Sequence, residues 1–131
     1  MYDGQYLHAP QEGSVAVYSP WFPRGGDGVR CTLEALGFDG TGDLTVHLFH
    51  KNENATASYD GEEVDPSTTL QITSAQGPGR ATAEWTGLRE LVRYKIVATD
   101  TGAVQVFSVL FRLLDPEWFD AVDAAGGIPG M

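Results

Sequence analysis

The chain has 131 residues, a length typical of one domain, and 42% of them are hydrophobic. That fraction is too high for a disordered chain, while no apolar run is long enough to cross a bilayer, so we expect no membrane insertion. Eighteen acidic residues against eight basic ones give a net charge of −10, which disfavours nucleic acid as a partner because phosphates are repelled. Residues 1–15 contain neither a basic segment nor a continuous apolar segment. We therefore expect synthesis without a signal peptide, and association with a virion is one destination consistent with that.

The chain begins with a polar segment, residues 1–13, which we predict to be an extended N-terminal arm. After it, short runs that alternate apolar and polar residues are separated by clusters of Gly, Pro and Asp. Alternation with a period of two is typical of β-strands with one buried face. The pattern predicts seven strands: A at 14–18, B at 29–36, C at 44–50, D at 68–73, E at 80–86, F at 91–99 and G at 103–113.

Seven strands with turns at this spacing predict an all-β domain over residues 14–114, and we favour an antiparallel two-sheet β-sandwich over a barrel. The turn Asp100-Thr101-Gly102 predicts a hairpin between strands F and G. Strand G is apolar on both faces, so its second face should be covered by the C-terminal segment or by another chain. That segment is residues 115–131, in which Pro116 favours a short helical turn at 117–122.

A corner motif lies between strands E and F, where Leu88 precedes Tyr94 by six positions. With the stretch around it, residues 81–100, this spacing resembles the E–F corner of fibronectin type III and related immunoglobulin-like domains. Including strand G, the resemblance covers about a quarter of the chain. It implies that Leu88 plugs one end of the sandwich, and that the Tyr94 ring packs inward while its hydroxyl reaches a nearby backbone group.

Residue types suited to metal binding or catalysis are present, but in weak patterns. Asp39 and Asp43 flank a glycine-rich turn and could offer oxygen ligands to Ca²⁺, although the spaced ligands of a calcium loop are missing, so we expect a plain turn and no cofactor. His47 and His50 should point to opposite faces of strand C and cannot chelate one metal. Cys31 lies in an apolar alternation and is expected to be a buried small hydrophobe.

Acidic residues cluster in the loop between strands C and D and again near the C-terminus. We expect solvated segments there, with a docking surface for a basic partner or for Ca²⁺ as the alternative. No serine lies in a glycine-flanked elbow, and the sequence suggests no Cys/His pairing. We therefore expect no enzymatic activity.

Two proline-flanked aromatic pairs lie outside the predicted strands: Trp21-Phe22 and Trp118-Phe119. They could cap the open ends of the sandwich, dock into a neighbouring chain, or stack on a sugar ring. As interface candidates we select these four residues together with Phe107 and Phe111 of strand G.

These features lead us to expect a non-enzymatic structural or assembly protein of a larger particle, such as a capsid-decorating or tail-associated component of a phage or virion. It would dock on other protein chains, or on copies of itself as a homo-oligomer, through its arms and aromatic projections. The alternative is a small ligand-binding module, such as a carbohydrate-binding β-sandwich that uses Trp21, Trp85 or Trp118 as a platform.

Overall fold

A computed structural model describes residues 2–102 and 106–120, and these residues contain eleven β-strands and one 3-10 turn at Ser74–Gln76. The strands are β1 Tyr2–Ala9, β2 Ser14–Tyr18, β3 Phe22–Pro23, β4 Gly28–Asp39, β5 Gly42–Lys51, β6 Glu62–Glu63, β7 Leu70–Thr73, β8 Gly79–Thr86, β9 Leu91–Asp100, β10 Phe107–Leu113 and β11 Glu117–Phe119. In this part of the chain, no helix is long and apolar enough to span a membrane.

The strands form two antiparallel sheets, which confirms the predicted all-β sandwich. In sheet A, β8 pairs with one side of β4, β10 and β11 share the other side, and β1 pairs with β10 at the edge. In sheet B, β9 and β5 are central; β2 and β3 pair with β9, while β6 and β7 pair with β5. The inner faces of both sheets supply one buried apolar core.

All seven predicted strands are present, as β2, β4, β5, β7, β8, β9 and β10, and the predicted start of strand G at 103–105 lies outside the described residues. The apolar–polar alternation of the sequence predicted these strands because it follows their burial. In β9, for example, buried and half-buried residues alternate along the whole length of the strand. Two strands of two residues, β3 and β6, are too short to show any period. The N-terminal segment is extended as predicted, and Tyr2–Ala9 is a strand of sheet A that buries Leu7 and Ala9.

The helical turn predicted at 117–122 is wrong for residues 117–119, which form β11 and pair with the start of β4. Three glycines explain the difference. A Cβ atom on Gly25 would lie 2.6 Å from the Trp118 ring, and one on Gly28 would collide with the ring of Phe119. A Cβ atom on the third, Gly26, would lie 2.6 Å from the carbonyl oxygen of Phe119. The bare backbone therefore lets this segment lie flat against the sheet. The rest of the predicted turn lies outside the described residues.

The hairpin predicted between strands F and G is also wrong, because β9 lies in sheet B and β10 lies in sheet A. The chain changes sheets after Asp100, just as it changes sheets between β1 and β2. The two connections meet, since the backbone N–H of Asp100 donates to the carbonyl of Gly13 at 2.9 Å. As a result β10 pairs with β4, whereas in an immunoglobulin sandwich strand G lies in the sheet of strand F.

The Asp100 side chain holds these two connections together. It is only 5% exposed. One carboxylate oxygen accepts a hydrogen bond from the backbone N–H of Glu12 at 2.7 Å, and the other accepts from Gly102 at 3.0 Å. Glu12 has a φ of 58°, a backbone conformation that residues other than glycine rarely adopt. The buried carboxylate therefore fixes a turn that the local sequence would not favour by itself.

The predicted corner residues Leu88 and Tyr94 are both buried in the core. The resemblance implied that the Tyr94 hydroxyl bonds to a backbone group. Within the described residues, its hydrogen-bond partner is the Sγ atom of Cys31, at 3.1 Å. Cys31 is free and fully buried, which confirms the prediction made for it. Burial raises the pKa of its thiol to about 11, although the hydrogen bond with Tyr94 acts in the opposite direction.

We predict that Asp100→Ala lowers the free energy of unfolding by about 2–3 kcal/mol, because two backbone donors lose their acceptor. Asp100→Asn, which keeps one acceptor oxygen, should lose less. Urea unfolding followed by tryptophan fluorescence measures both. Asp39→Ala removes an exposed carboxylate and is the control. Equal losses in Asp100→Ala and Asp39→Ala would show that the buried carboxylate is not a structural tie.

We also predict that Cys31 resists a thiol reagent such as DTNB at pH 8 until the protein unfolds. The thiolate is the reactive form, and burial disfavours it. Labelling in urea should be fast. A Cys31→Ser/Thr32→Cys variant moves the thiol to the adjacent half-buried position and should react without denaturant. Wild-type labelling as fast as that of this variant would contradict the prediction.

Candidate functional site

Two of the predicted interface residues lie in the core of the chain itself. Phe107 and Phe111 are on the inner face of β10, where both are fully buried. On the outer face of β10, Leu110 is half-buried and lines a shallow hollow with Tyr6 of β1. In the described range, the C-terminal segment runs along β4 and does not cover that face.

The two aromatic pairs meet at one end of the sandwich. Phe22 lies 5.8 Å from the ring of Tyr94 and 6.2 Å from the ring of Trp118, measured between ring centres. Phe22 and Trp118 both pack against the core, and Phe119 lies on Gly28. This is the arrangement expected of residues that cap a sandwich. Trp21, the neighbour of Phe22 in the first pair, is instead surrounded by basic side chains.

Trp21 belongs to a group on the outer side of sheet B that we call the cation–aromatic row. The guanidinium carbon of Arg93 lies 4.7 Å from the ring centre of Trp21 and 4.7 Å from that of Tyr18. The Nζ atom of Lys51 lies 4.6 Å from Trp21, and that of Lys95 lies 5.7 Å from Tyr18. Three cations and two rings thus alternate in the order Lys95, Tyr18, Arg93, Trp21, Lys51.

A shallow groove of about 410 Å³ opens beside the row, and we call it the sheet B groove. Its lining residues are Tyr18, Phe49, Asp60, Arg93 and Lys95. Tyr18 is 48% exposed, which is high for an aromatic side chain. The groove therefore combines apolar, cationic and acidic side chains on one surface.

Strand register brings these residues together. In the β2–β9 pairing Tyr18 stands opposite Lys95, and in the β5–β9 pairing Phe49 stands opposite Arg93. A Cβ atom on Gly61 would lie 2.6 Å from the Trp21 indole, so the glycine leaves room for that ring. The site is not visible in the sequence because Tyr18 and Arg93 are 75 positions apart, and only the pairing of β2 with β9 joins them.

The charges of the row are incompletely neutralised. Elsewhere, four arginines pair with glutamates: Arg30 with Glu84 at 2.6 Å, Arg80 with Glu34 at 2.9 Å, Arg112 with Glu34 at 3.2 Å and Arg89 with Glu62 at 3.5 Å. In the row, the carboxylate that Arg93 reaches among the described residues is that of Asp60, at 3.6 Å, and the Asp60 side chain is 90% exposed. Within the described residues, Lys51 and Lys95 have no carboxylate partner, and Lys51 donates to the carbonyl of Tyr59 at 3.2 Å.

In the acidic loop between β5 and β7, the carboxylates of Glu63 and Asp65 form hydrogen bonds with side chains of this chain. Glu63 bonds to the Nδ1 atom of His47 at 3.1 Å. Hydroxyl donors from Ser67 and Thr68 lower the pKa of Asp65 below its ordinary value.

Across residues 2–102 and 106–120, no group of three or more His, Cys, Asp or Glu side chains is placed to hold a metal ion. The expectation of a plain turn without a cofactor at Asp39 and Asp43 stays a prediction.

The three tryptophans differ in what they offer to a ligand. Trp85 is buried in the core, and Trp118 packs against it. Trp21 already has two cations over its ring.

Comparison with known proteins does not identify a family: neither the protein-family models nor the curated proteins searched give a match for this chain. What is established is therefore the class, an antiparallel two-sheet β-sandwich, and the site rests on its own geometry.

We predict that His50 makes stability depend on pH. Its Nδ1 atom accepts a hydrogen bond from the backbone N–H of Arg89 at 3.1 Å, which requires an unprotonated nitrogen. Burial, followed by the charge of Arg89, lowers the pKa of His50 below 6.5. The unfolded chain therefore binds the proton more readily, so the His50 contribution is complete above pH 6.5 and is lost as pH falls through the lowered pKa.

Urea midpoints between pH 7.5 and pH 5 should thus fall further for the wild type than for His50→Asn. His8, which is exposed, supplies the control variant His8→Asn, whose slope should match the wild type. If wild type and His50→Asn have identical slopes, the assignment is wrong.

Proposed function

We propose that this chain is a non-enzymatic structural or assembly protein of a larger particle, of the class of capsid-decorating or tail-associated phage or virion components. We further propose that it docks on neighbouring protein chains, copies of itself included, through the sheet B groove and the cation–aromatic row. The observation that supports this most is the row itself. Arginine and aromatic residues dominate the centres of protein interfaces, and here they are partly exposed on one sheet face.

The rigidity of the surface supports docking as well. Arg93 and Lys95 are on the central strand β9, and Phe49 is on its neighbour β5. Side chains that are already held in place lose little conformational freedom on binding, so more of the contact energy becomes affinity. The aromatic pairs contribute less than the sequence suggested, because Phe22, Trp118 and Phe119 are engaged within the chain.

We infer that the relation to fibronectin type III and immunoglobulin-like domains extends to the corner and the central strand pairs. The pairing of β4 with β8 corresponds to strands B and E, and the pairing of β5 with β9 corresponds to strands C and F. Leu88 and Tyr94 occupy the corner between them. The strands β1, β2 and β10 follow a different arrangement.

The alternative, a carbohydrate-binding module, has less support. Stacking on sugar requires a free ring face, whereas Trp85 is buried and cations lie over the Trp21 ring. Trp118 packs on the core but is only half-buried and lines a hollow of about 300 Å³, so it is the remaining candidate platform. Among the residues of the row, the most exposed ring is that of Tyr18, and cations lie over it too.

The docking proposal predicts that the purified chain self-associates and that Tyr18→Ser weakens the association by about tenfold or more, as loss of an interface anchor does. Sedimentation velocity across a concentration series measures this. The matched control is Tyr6→Ser, because Tyr6 is 63% exposed on the outer face of the other sheet. A wild type that stays monomeric at every concentration, or a Tyr6→Ser variant that loses as much as Tyr18→Ser, would overturn the proposal.

A further inference from the structure

We propose that the sheet B groove recognises the carboxylates of an acidic polypeptide segment. This inference rests on the docking role proposed for the same surface, and it names the chemistry of the occupant. The starting point is charge. The protein carries a net charge of −10, yet three of its eight basic residues gather in the row with little neutralisation.

Arg93 is the centre of the site. Its side chain is 17% exposed, and its Nε atom is buried without a hydrogen-bond partner. Its contacts to Asp60 are long: 3.6 Å to the carboxylate and 3.5 Å to the backbone carbonyl. A guanidinium that is partly removed from water and incompletely paired gains more from an incoming carboxylate than a fully solvated one does.

The rings of Tyr18 and Trp21 determine how Arg93 is presented. Both lie 4.7 Å from its guanidinium carbon, so the planar group is held by stacking before any ligand arrives. Lys95 also lines the groove, and it stands opposite Tyr18 in the register of β2 with β9. Two cationic positions separated by an aromatic side chain suit a segment that carries carboxylates on a flexible chain.

The surroundings favour a polypeptide over other polyanions. The net charge of the protein disfavours nucleic acid, because a long phosphate chain would be repelled beyond the groove. Cations already lie over both rings of the row, so a polysaccharide would gain little from stacking there. The apolar side chain of Phe49 in the groove wall adds a surface for the aliphatic part of a glutamate.

Asp60 gives the proposal a directional test. Its carboxylate lies beside Arg93, where it occupies the position that a ligand carboxylate would take. Because its side chain is 90% exposed, replacing it should cost the fold little. We expect Asp60→Asn to bind an acidic peptide more tightly than the wild type does, by about two- to fivefold, the range of an exposed ion pair.

The experiment is a titration of the full chain with a hexaglutamate peptide at low salt, followed by calorimetry and by backbone amide shifts. Lys95→Gln should weaken binding by about two- to fivefold. The matched control is Arg80→Gln, which removes the same charge from sheet A and should leave the affinity unchanged. Shifts should concentrate in β2, β5 and β9.

Several results would overturn the inference. They are the absence of hexaglutamate binding to both the wild type and Asp60→Asn, an Arg80→Gln effect as large as that of Lys95→Gln, and binding of polygalacturonate without binding of the peptide. The assembly proposal fails on a different measurement, the sedimentation of the chain without peptide. If a strictly monomeric chain binds the peptide, the carboxylate-recognition proposal stands and the self-association proposal fails. If the chain self-associates but does not bind the peptide, self-association stands and carboxylate recognition fails.

Discussion

The arrangement of the strands depends on one buried carboxylate. Asp100 ends β9, accepts hydrogen bonds from Glu12 and Gly102, and so joins the two places where the chain passes from one sheet to the other. With these connections fixed, β10 lies between β1 and β4, and β2 lies beside β9. The second pairing places Tyr18 next to Lys95 and creates one side of the groove. The candidate site is thus a consequence of where the chain changes sheets.

The strands could be predicted because burial on one face requires a period of two, which is visible in any sequence. The partners of those strands could not. A turn such as Asp100-Thr101-Gly102 is compatible with a hairpin, and only the contact with Gly13 and Glu12, almost 90 positions away, selects a crossing instead. Likewise, Glu117–Phe119 is a strand because glycines on β4 and before it leave space, which is a tertiary condition.

The site was hidden from the sequence for the same reason. Trp21 attracted attention as a residue flanked by prolines, but its role depends on Lys51 and Arg93, which come from two other strands. The aromatic pairs illustrate the converse. Their composition suggested projections, whereas Phe22 and Trp118 meet each other across the end of the sandwich. Hydrophobicity identifies residues that must be covered, and topology decides whether the cover comes from the same chain.

The pairing of β1 with β10 has a mechanical consequence. Tyr2 stands opposite Leu113, so the first residue of β1 lies beside the last residue of β10. A force that pulls Tyr2 away from Leu113 would load the hydrogen bonds of this pair one after another, as in opening a zipper, and not all together. Within sheet A, the edge strand would yield first, while β4, paired on both sides, would carry the remaining load.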